Sequence, residues 1–227
     1  MIQISDEIFA DEAVMAMDFA KRPMAGPYER LPWLCIEGFF DAGACRALIA
    51  AADEASAIDA ALRTKTGAEV KARIRDTRLH AMPEAAMRRY EAAFGRHRGA
   101  IERFFGVALA EASRPQLLEY GPGGHYLRHA DDSSEIVDTA GKVVGYKKVA
   151  PQRVVTTVLF LNSRDADFTG GTLRFNHLRT ADGEVAQIIP AAGTLLAFPS
   201  HPLFAHEVLP VEQGRRFAVA QWHNALL

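Results

Sequence analysis

Cysteine is almost missing from this chain, with only Cys35 and Cys45 among 227 residues. Two thiols cannot build a disulfide framework, so the fold has to stand on a packed core, and a reducing cytoplasm is the expected compartment. Both thiols are expected to be buried small hydrophobes. Long hydrophobic runs are missing too. No apolar stretch approaches the roughly 20 residues of a membrane helix, and no membrane partner is expected. The start, Met1 to Glu12, is acidic and lacks the basic-then-apolar layout of a secretory signal. Excess charge of either sign is also absent. A net charge of -2 leaves no electrostatic footprint for nucleic acid. Oligomeric state is not legible in any of this.

What is present is an ordinary globular composition, 49% hydrophobic and 24% charged, at a length that suits one domain with a substantial core or two small ones. The two halves read differently. Ala42 to Leu62 is alanine-rich, with Asp41 placed to cap a helix and Leu48, Ile49 and Ala52 at helical spacing. Trp33 to Ile36 reads as a short strand leading into it. A second helix is predicted over Pro83 to Phe105, burying Tyr90, Phe94, Ile101 and Phe104/Phe105. Ala68 to His80 is charged and fits a strand, a helix end or a loop. From Pro115 onward the pattern becomes short β segments punctuated by Gly, Pro, Asn and Asp. They fall near 116–120, 125–130, 143–149, 153–161, 171–176, 184–189, 193–198, 203–208 and 215–223. That spacing predicts a mostly β protein with N-terminal helices (α+β). Its core would be a double-stranded β-helix (a cupin-like jelly roll) with the helices packed on the major sheet. We expect one domain over 1–227, with 1–114 a helical support region and 115–227 the jelly-roll core.

His129 and Asp131 lie two residues apart, and His206 follows far downstream. Two imidazoles and a carboxylate are the donor set of a non-haem Fe(II) site that keeps coordination positions open. With 8 histidines in the chain, a lone His-x-Asp is an ordinary coincidence. Context raises its weight. Period two puts His129 and Asp131 on one face of a strand. Arg216 shares its strand face with Ala218, Ala220 and Trp222, so an inward guanidinium has room beside it for a small carboxylate. His201 is the rival to His206, because it too stands at that strand's entrance. His125, in the glycine-rich turn, and His223, facing away from Trp222, read as surface or supporting residues. His177 beside Asn176 reads as a turn residue. Gly121-Pro-Gly-Gly124 leads into a strand rather than a helix, which excludes a dinucleotide loop. Arg88-Arg89 and Arg96-His97-Arg98 read as a solvated helix face.

Several segments together resemble the 2-oxoglutarate- and Fe(II)-dependent dioxygenases, in particular the prolyl 4-hydroxylase-like branch. They are Tyr-x5-Tyr-x2-His-x-Asp from Tyr120 to Asp131, the strand ending Phe160-Leu-Asn162, Gly170-Gly-Thr-Leu-Arg-Phe175, Gly193-Thr-Leu-Leu-Ala-Phe198, and His206 through Trp222. The resemblance covers about Pro115 to Leu227. It implies that His129, Asp131 and His206 hold Fe(II), that Arg216 pairs with the far carboxylate of 2-oxoglutarate, and that Tyr120 hydrogen-bonds the cosubstrate. It also implies O2 as oxidant, with ascorbate as an optional helper. A C–H bond would be hydroxylated as 2-oxoglutarate becomes succinate and CO2. Arg153, Trp222 and Tyr126 would border the substrate, a prolyl or peptidyl residue or a small amino-acid-like metabolite. The polar segment Asp132 to Gln152, with charges of both signs, would close over it. Some oxygen-sensing members have tyrosine where this chain has Phe160 and threonine where it has Ala220, which leaves Arg216 more alone here. A carboxylate at Asp131 argues against a halogenase, in which halide replaces that ligand. Two other readings are a non-catalytic sensor of 2-oxoglutarate or metal, and a cupin-type metalloenzyme that does not use 2-oxoglutarate.

Overall fold

Period-two alternation in the second half of the chain is realised as two facing antiparallel sheets, seen in a computed structural model that describes residues 1–17, 29–54, 58–59 and 74–226. The N-terminal part supplies β1 (Ile2–Gln3), β2 (Ile8–Ala10), α1 (Glu12–Met15), β3 (Leu34–Ile36), α2 (Ala42–Glu54), β4 (Ile58–Asp59), β5 (Arg75–Asp76), β6 (Arg78–His80) and α3 (Glu84–Phe105). Next come β7 (Ala108–Ala112), β8 (Gln116–Tyr120), β9 (His125–His129), β10 (Ser133–Val137), β11 (Val143–Lys148) and β12 (Val155–Phe160). The chain ends with β13 (Phe168–Gly170), β14 (Leu173–Thr180), β15 (Val185–Ile188), β16 (Leu195–Pro199), β17 (His206–Val208), β18 (Val211–Gly214) and β19 (Arg216–Leu226).

One sheet runs β3-β16-β12-β19-β8-β6-β4, with β7 also on β19. The other runs β1-β2-β14-β17-β9-β5, with β15 also on β14. The sheets close over each other as a jelly roll, with inward residues such as Val158, Phe160, Leu196, Phe198 and Ala218 packed against Leu173 and Phe175. The residues between them in sequence point the other way. Leu117, Val155, Leu159, Ala197, Phe217 and Val219 meet Phe40, Leu48, Tyr90, Ala93 and Ile101 from the α2–α3 side. The eight-stranded sheet is therefore buried on both faces, which is why β12 is a continuous buried run rather than an alternating one. Helix α2 starts where expected, the Asp41 carboxylate accepting from the Ala44 N–H at 2.7 Å. Helix α3 follows Pro83 and stops at Gly106, whose φ of 63° only glycine adopts cheaply.

Several expectations change. The alanine-rich helix does not run to Leu62: its described part ends at Glu54, and Ile58–Asp59 already pairs with β6, whose open edge offers backbone partners. Residues 55–57 and 60–73 lie outside the described residues, so the reading of 68–73 has no counterpart here. The strand read over 125–130 stops at His129. The polar segment after it is largely a hairpin, β10 with β11, forming its own two-stranded sheet. Cys45 is buried, but Cys35 is exposed. It sits on the edge strand β3, where Leu34 and Ile36 take the inward positions and alternation turns Cys35 outward. His177 is not in a turn. It lies within β14, buried, and accepts or donates a 2.7 Å hydrogen bond with the Tyr146 hydroxyl of the hairpin. Among the described residues, no helix is long and apolar enough to cross a membrane.

Candidate metal centre

His129 and His206 are cross-strand partners. The last residue of β9 pairs with the first of β17, and the two rings lie 4.4 Å apart between centroids. Asp131 completes the group, though not by strand alternation, because β9 has already ended. Its position comes from the turn, where Asp132 donates its backbone N–H to Ser200 O and accepts from Val149 and Ala150. The two imidazole Nε2 atoms lie 3.8 and 3.9 Å from the Asp131 oxygens, and one ligand atom from each residue falls within 4.8 Å of the others. Metal–ligand bonds of roughly 2.0–2.2 Å reach such atoms from a single ion.

The protonation states suit an ion. His129 Nδ1 contacts Leu127 O at 2.9 Å, and His206 Nδ1 contacts Phe204 O at 3.0 Å. A carbonyl only accepts, so both Nδ1 atoms carry the proton and both Nε2 lone pairs face the centre. Burial pushes His129 down to about 3, and His206 beside it adds to the effect, which keeps the ring neutral. Burial pushes Asp131 up, but the histidines, Thr156 and Trp222 outweigh it and hold the carboxyl below its ordinary value. The Thr156 hydroxyl donates to Asp131 Oδ2 at 2.7 Å. With its one proton committed, Thr156 accepts at 2.8 Å from Ser200, whose hydroxyl must then be the donor.

Beside the three donors is a pocket with about 460 Å³ of empty space, part of it open to solvent. Arg216 forms its inner end. The residue is 1% exposed, its guanidinium stacks over Tyr120 at 5.0 Å and Phe160 at 5.5 Å, and its Nε is sealed away with no acceptor. Burial drives its pKa down from the usual guanidinium value, and among the described residues no carboxylate pairs with it. A buried cation left with an unmet donor is costly unless something anionic joins it. Alternation along β19 puts Ala218, Ala220 and Trp222 on the same wall as Arg216, as expected, and Tyr120 faces Arg216 from β8. Asn162 fixes this end, donating to Arg215 O at 2.7 Å and accepting from the Phe217 N–H at 2.9 Å, one residue either side of Arg216. The donor set and Arg216, which has no carboxylate partner among the described residues, thus fit a divalent metal and a short dicarboxylate between them.

The three residues that the resemblance puts beside a substrate also converge here. The Tyr126 ring stacks on His129 at 3.6 Å between centroids, Arg153 lies 4.3 Å over the Trp222 ring, and Arg153 donates to Asp131 O at 2.9 Å. His201 is not part of the group; its Nδ1 accepts from the Leu203 N–H at the start of a 3-10 turn, Pro202–Phe204. His223 faces away from the centre, as expected, but it is buried under α3, bonded to Thr157 at 2.9 Å and stacked on Phe94. Thr156 and Ser200 escaped the sequence reading, although a hydroxyl on the inward face of an apolar strand was a usable signal. Arg75, which lines the same pocket, also escaped, hidden in a charged segment without a pattern.

A jelly roll with two histidines and a carboxylate at its open end, and a buried arginine behind them, defines the class of metal-dependent oxygenases. The comparisons agree. Residues 115–224, just under half of the chain, match the 2OG-Fe(II) oxygenase superfamily. A PKHD-type hydroxylase of Synechococcus elongatus is 36% identical over 103 residues, which is 45% of this chain and 39% of that protein. The chain thus matches well under half the length of that curated relative. A Pseudomonas putida prolyl-4-hydroxylase superposes with a TM-score of 0.62 at 27% identity, covering 86% of this chain and 94% of the other. A Trichoplax adhaerens prolyl hydroxylase, solved with a hypoxia inducible factor peptide fragment, superposes with a TM-score of 0.60 at 19% identity, over 85% of this chain and 83% of that one; this likeness shows the fold.

Proposed function

We propose that the protein is a 2-oxoglutarate- and Fe(II)-dependent hydroxylase acting on a prolyl or peptidyl residue or a small amino-acid-like metabolite. The carrying observation is the fully buried Arg216, with its orphaned Nε, across the pocket from three converging ligand atoms. In this reading His129, Asp131 and His206 hold the metal, Arg216 takes the far carboxylate of 2-oxoglutarate, and Tyr120 lines the space between. Iron with bound 2-oxoglutarate and O2 supplies the oxidant, the cosubstrate leaving as succinate and CO2.

The chain's own residues do the rest. Leu127 O and Phe204 O hold the imidazole tautomers so that both Nε2 atoms remain donors. The two histidines and the Thr156 hydroxyl favour the ionised Asp131, and Ser200, bonded to Thr156, helps hold that hydroxyl toward it. Val158, Leu173 and Val208 give the pocket apolar walls that limit water. Tyr126, Arg153 and Trp222 form the outer face against which the substrate lies. The two thiols are unpaired among the described residues, which supports a reducing, cytoplasmic setting.

Anaerobic addition of Fe(II) and then 2-oxoglutarate is expected to give the weak visible charge-transfer band of the chelate. Asp131→Ala should abolish it, and Arg216→Ala should weaken 2-oxoglutarate while sparing the metal. A wild-type protein without the band would overturn the reading. Succinate release with a C–H substrate separates a hydroxylase from a sensor of the same fold.

A further inference from the structure

A groove with about 1090 Å³ of space, part of it open solvent, lies outside the metal pocket, and five residues line both: Arg75, Tyr126, His129, Asp131 and Trp222. A substrate lying in this groove would cross this junction to bring a C–H bond to the metal group. Three guanidinium groups face the groove, and two are engaged. Arg128 is bridged by Glu135 at 2.5 and 3.2 Å. Arg153 is held by the Asp131 carbonyl and the Trp222 ring.

Arg75 is different. Its backbone pairs with Tyr126 across β5 and β9, and its guanidinium lies 4.9 Å over the Tyr126 ring, which in turn stacks on His129. Its Nε is buried and meets no acceptor, and among the described residues it forms no ion pair or hydrogen bond. The adjacent acid, Asp76, pairs with His125 in the register and is exposed, and alternation aims it away from the groove. The groove's own carboxylates are already committed, Glu135 to Arg128 and Asp131 to the metal group. Among the described residues, the junction therefore carries a cation with a fork of donors and no uncommitted carboxylate to meet it.

We propose that Arg75 is a specificity residue that binds a carboxylate of the substrate, placing that carboxylate beside the C–H bond presented to the metal. The substrate class is thereby narrowed to acidic molecules: a free amino-acid-like acid, a peptide C-terminus, or a peptide with an acidic side chain near the target. The inference rests on the hydroxylase reading for what happens at the metal, though not for the binding itself.

Binding is measured calorimetrically on protein loaded with Zn(II) in place of Fe(II) and with 2-oxoglutarate, so that no turnover occurs. Three matched probe pairs separate the sources of the carboxylate. They are N-acetylproline against its amide, an acetylated proline tripeptide with a C-terminal carboxylate against the carboxamide, and an amidated proline peptide with internal Glu against Gln. One pair or more is expected to favour the acid by about tenfold, the size of one good charged contact. Arg75→Gln should erase that preference and leave the neutral member's affinity unchanged, and Arg75→Lys should keep part of it. A merely structural role for Arg75 would weaken both members alike and would overturn the proposal, as would a preference surviving in Arg75→Gln, or no acid-dependent binding in any pair. The Fe(II)–2-oxoglutarate band, recorded on the same preparations, keeps the two readings apart. A normal band with equal acid and neutral affinities removes the role of Arg75 alone, whereas a missing band removes the hydroxylase and leaves any acid preference standing.

Discussion

Thr156 gives its hydroxyl proton to Asp131 at 2.7 Å, and the Asp131 carboxylate is the one anion among the three candidate metal ligands. The bond links the floor of the eight-stranded sheet to a residue that no strand holds. Thr156→Val keeps the shape, removes the donor and leaves the Ser200 hydroxyl without its acceptor. Losing a partner of this kind typically weakens metal binding by about 10–100-fold. Titration with Fe(II) under anaerobic conditions should show that loss with the fold intact by circular dichroism. Unchanged metal affinity would show that the turn alone positions Asp131.

The space beside Arg216 exists because Ala218 and Ala220 are small. Ala220→Leu would put branched carbon into the pocket, about where a short dicarboxylate must lie between Arg216 and the metal group. We expect 2-oxoglutarate affinity to fall by about tenfold or more while metal affinity stays at the wild-type value. Both affinities are read directly by calorimetry, first with metal alone and then with 2-oxoglutarate added. Equal losses for both would mean that the substitution disturbs the whole sheet.

How much of this was legible beforehand differs by residue. Arg216, Ala218, Ala220 and Trp222 were placed on one wall by alternation alone, because β19 is long and regular. The strands read near 116–120 and 143–149 were also legible, the second ending one residue earlier at Lys148, since glycine and proline punctuate them. The His129–His206 pairing was not readable from spacing, because cross-strand register depends on contacts far apart in sequence. Asp131 does come together with His129 and His206, but not by strand alternation, since a turn rather than a strand carries it. Short or exposed strands such as β7, β10, β13 and β18 went unseen because they bury too little apolar surface to leave a pattern. His177 looked like a turn residue beside asparagine, and only its packing under Tyr146 shows that it belongs to a strand.

Two buried histidines away from the metal group should make stability depend on pH. Burial, with Arg128 nearby, pushes His177 down to about 4, and burial, with Arg98 nearby, pushes His223 down to about 4. In the unfolded chain both titrate near 6.5. Between those values the unfolded chain binds protons that the folded one refuses, so the stability is fully present above about 6.5 and is lost as the pH falls toward 4. The gap corresponds to roughly 3 kcal/mol per histidine at the acid end. Urea unfolding of metal-free protein at pH 7.5, 6 and 5 should show the decline. His223→Phe, which can keep the stack on Phe94, should decline less steeply than wild type. Parallel curves for the two proteins would rule out His223 as a contributor.

Gly171 carries a constraint that joins fold to site. Its φ is +59°, and an added Cβ would lie 3.0 Å from Arg216 Cδ, 3.0 Å from Phe168 Cε2 and 3.1 Å from Val211 Cγ2. The left-handed backbone alone costs a non-glycine residue about 1–2 kcal/mol. The crowding has a more specific consequence, because Arg216 has no slack. Tyr120 and Phe160 bracket its guanidinium, and Asn162 clamps the backbone on either side. A side chain displaced at Cδ must therefore swing its charged end out of line with the pocket. Gly171→Ala is expected to lower the urea midpoint modestly and to weaken 2-oxoglutarate by about tenfold, with metal affinity unchanged. Gly183→Ala is the control, since its φ of +88° carries the backbone cost while nothing lies within 4 Å of the added carbon. It should show the stability loss without the binding loss, and matching binding losses in the two variants would sink the argument that Gly171 sets the position of Arg216.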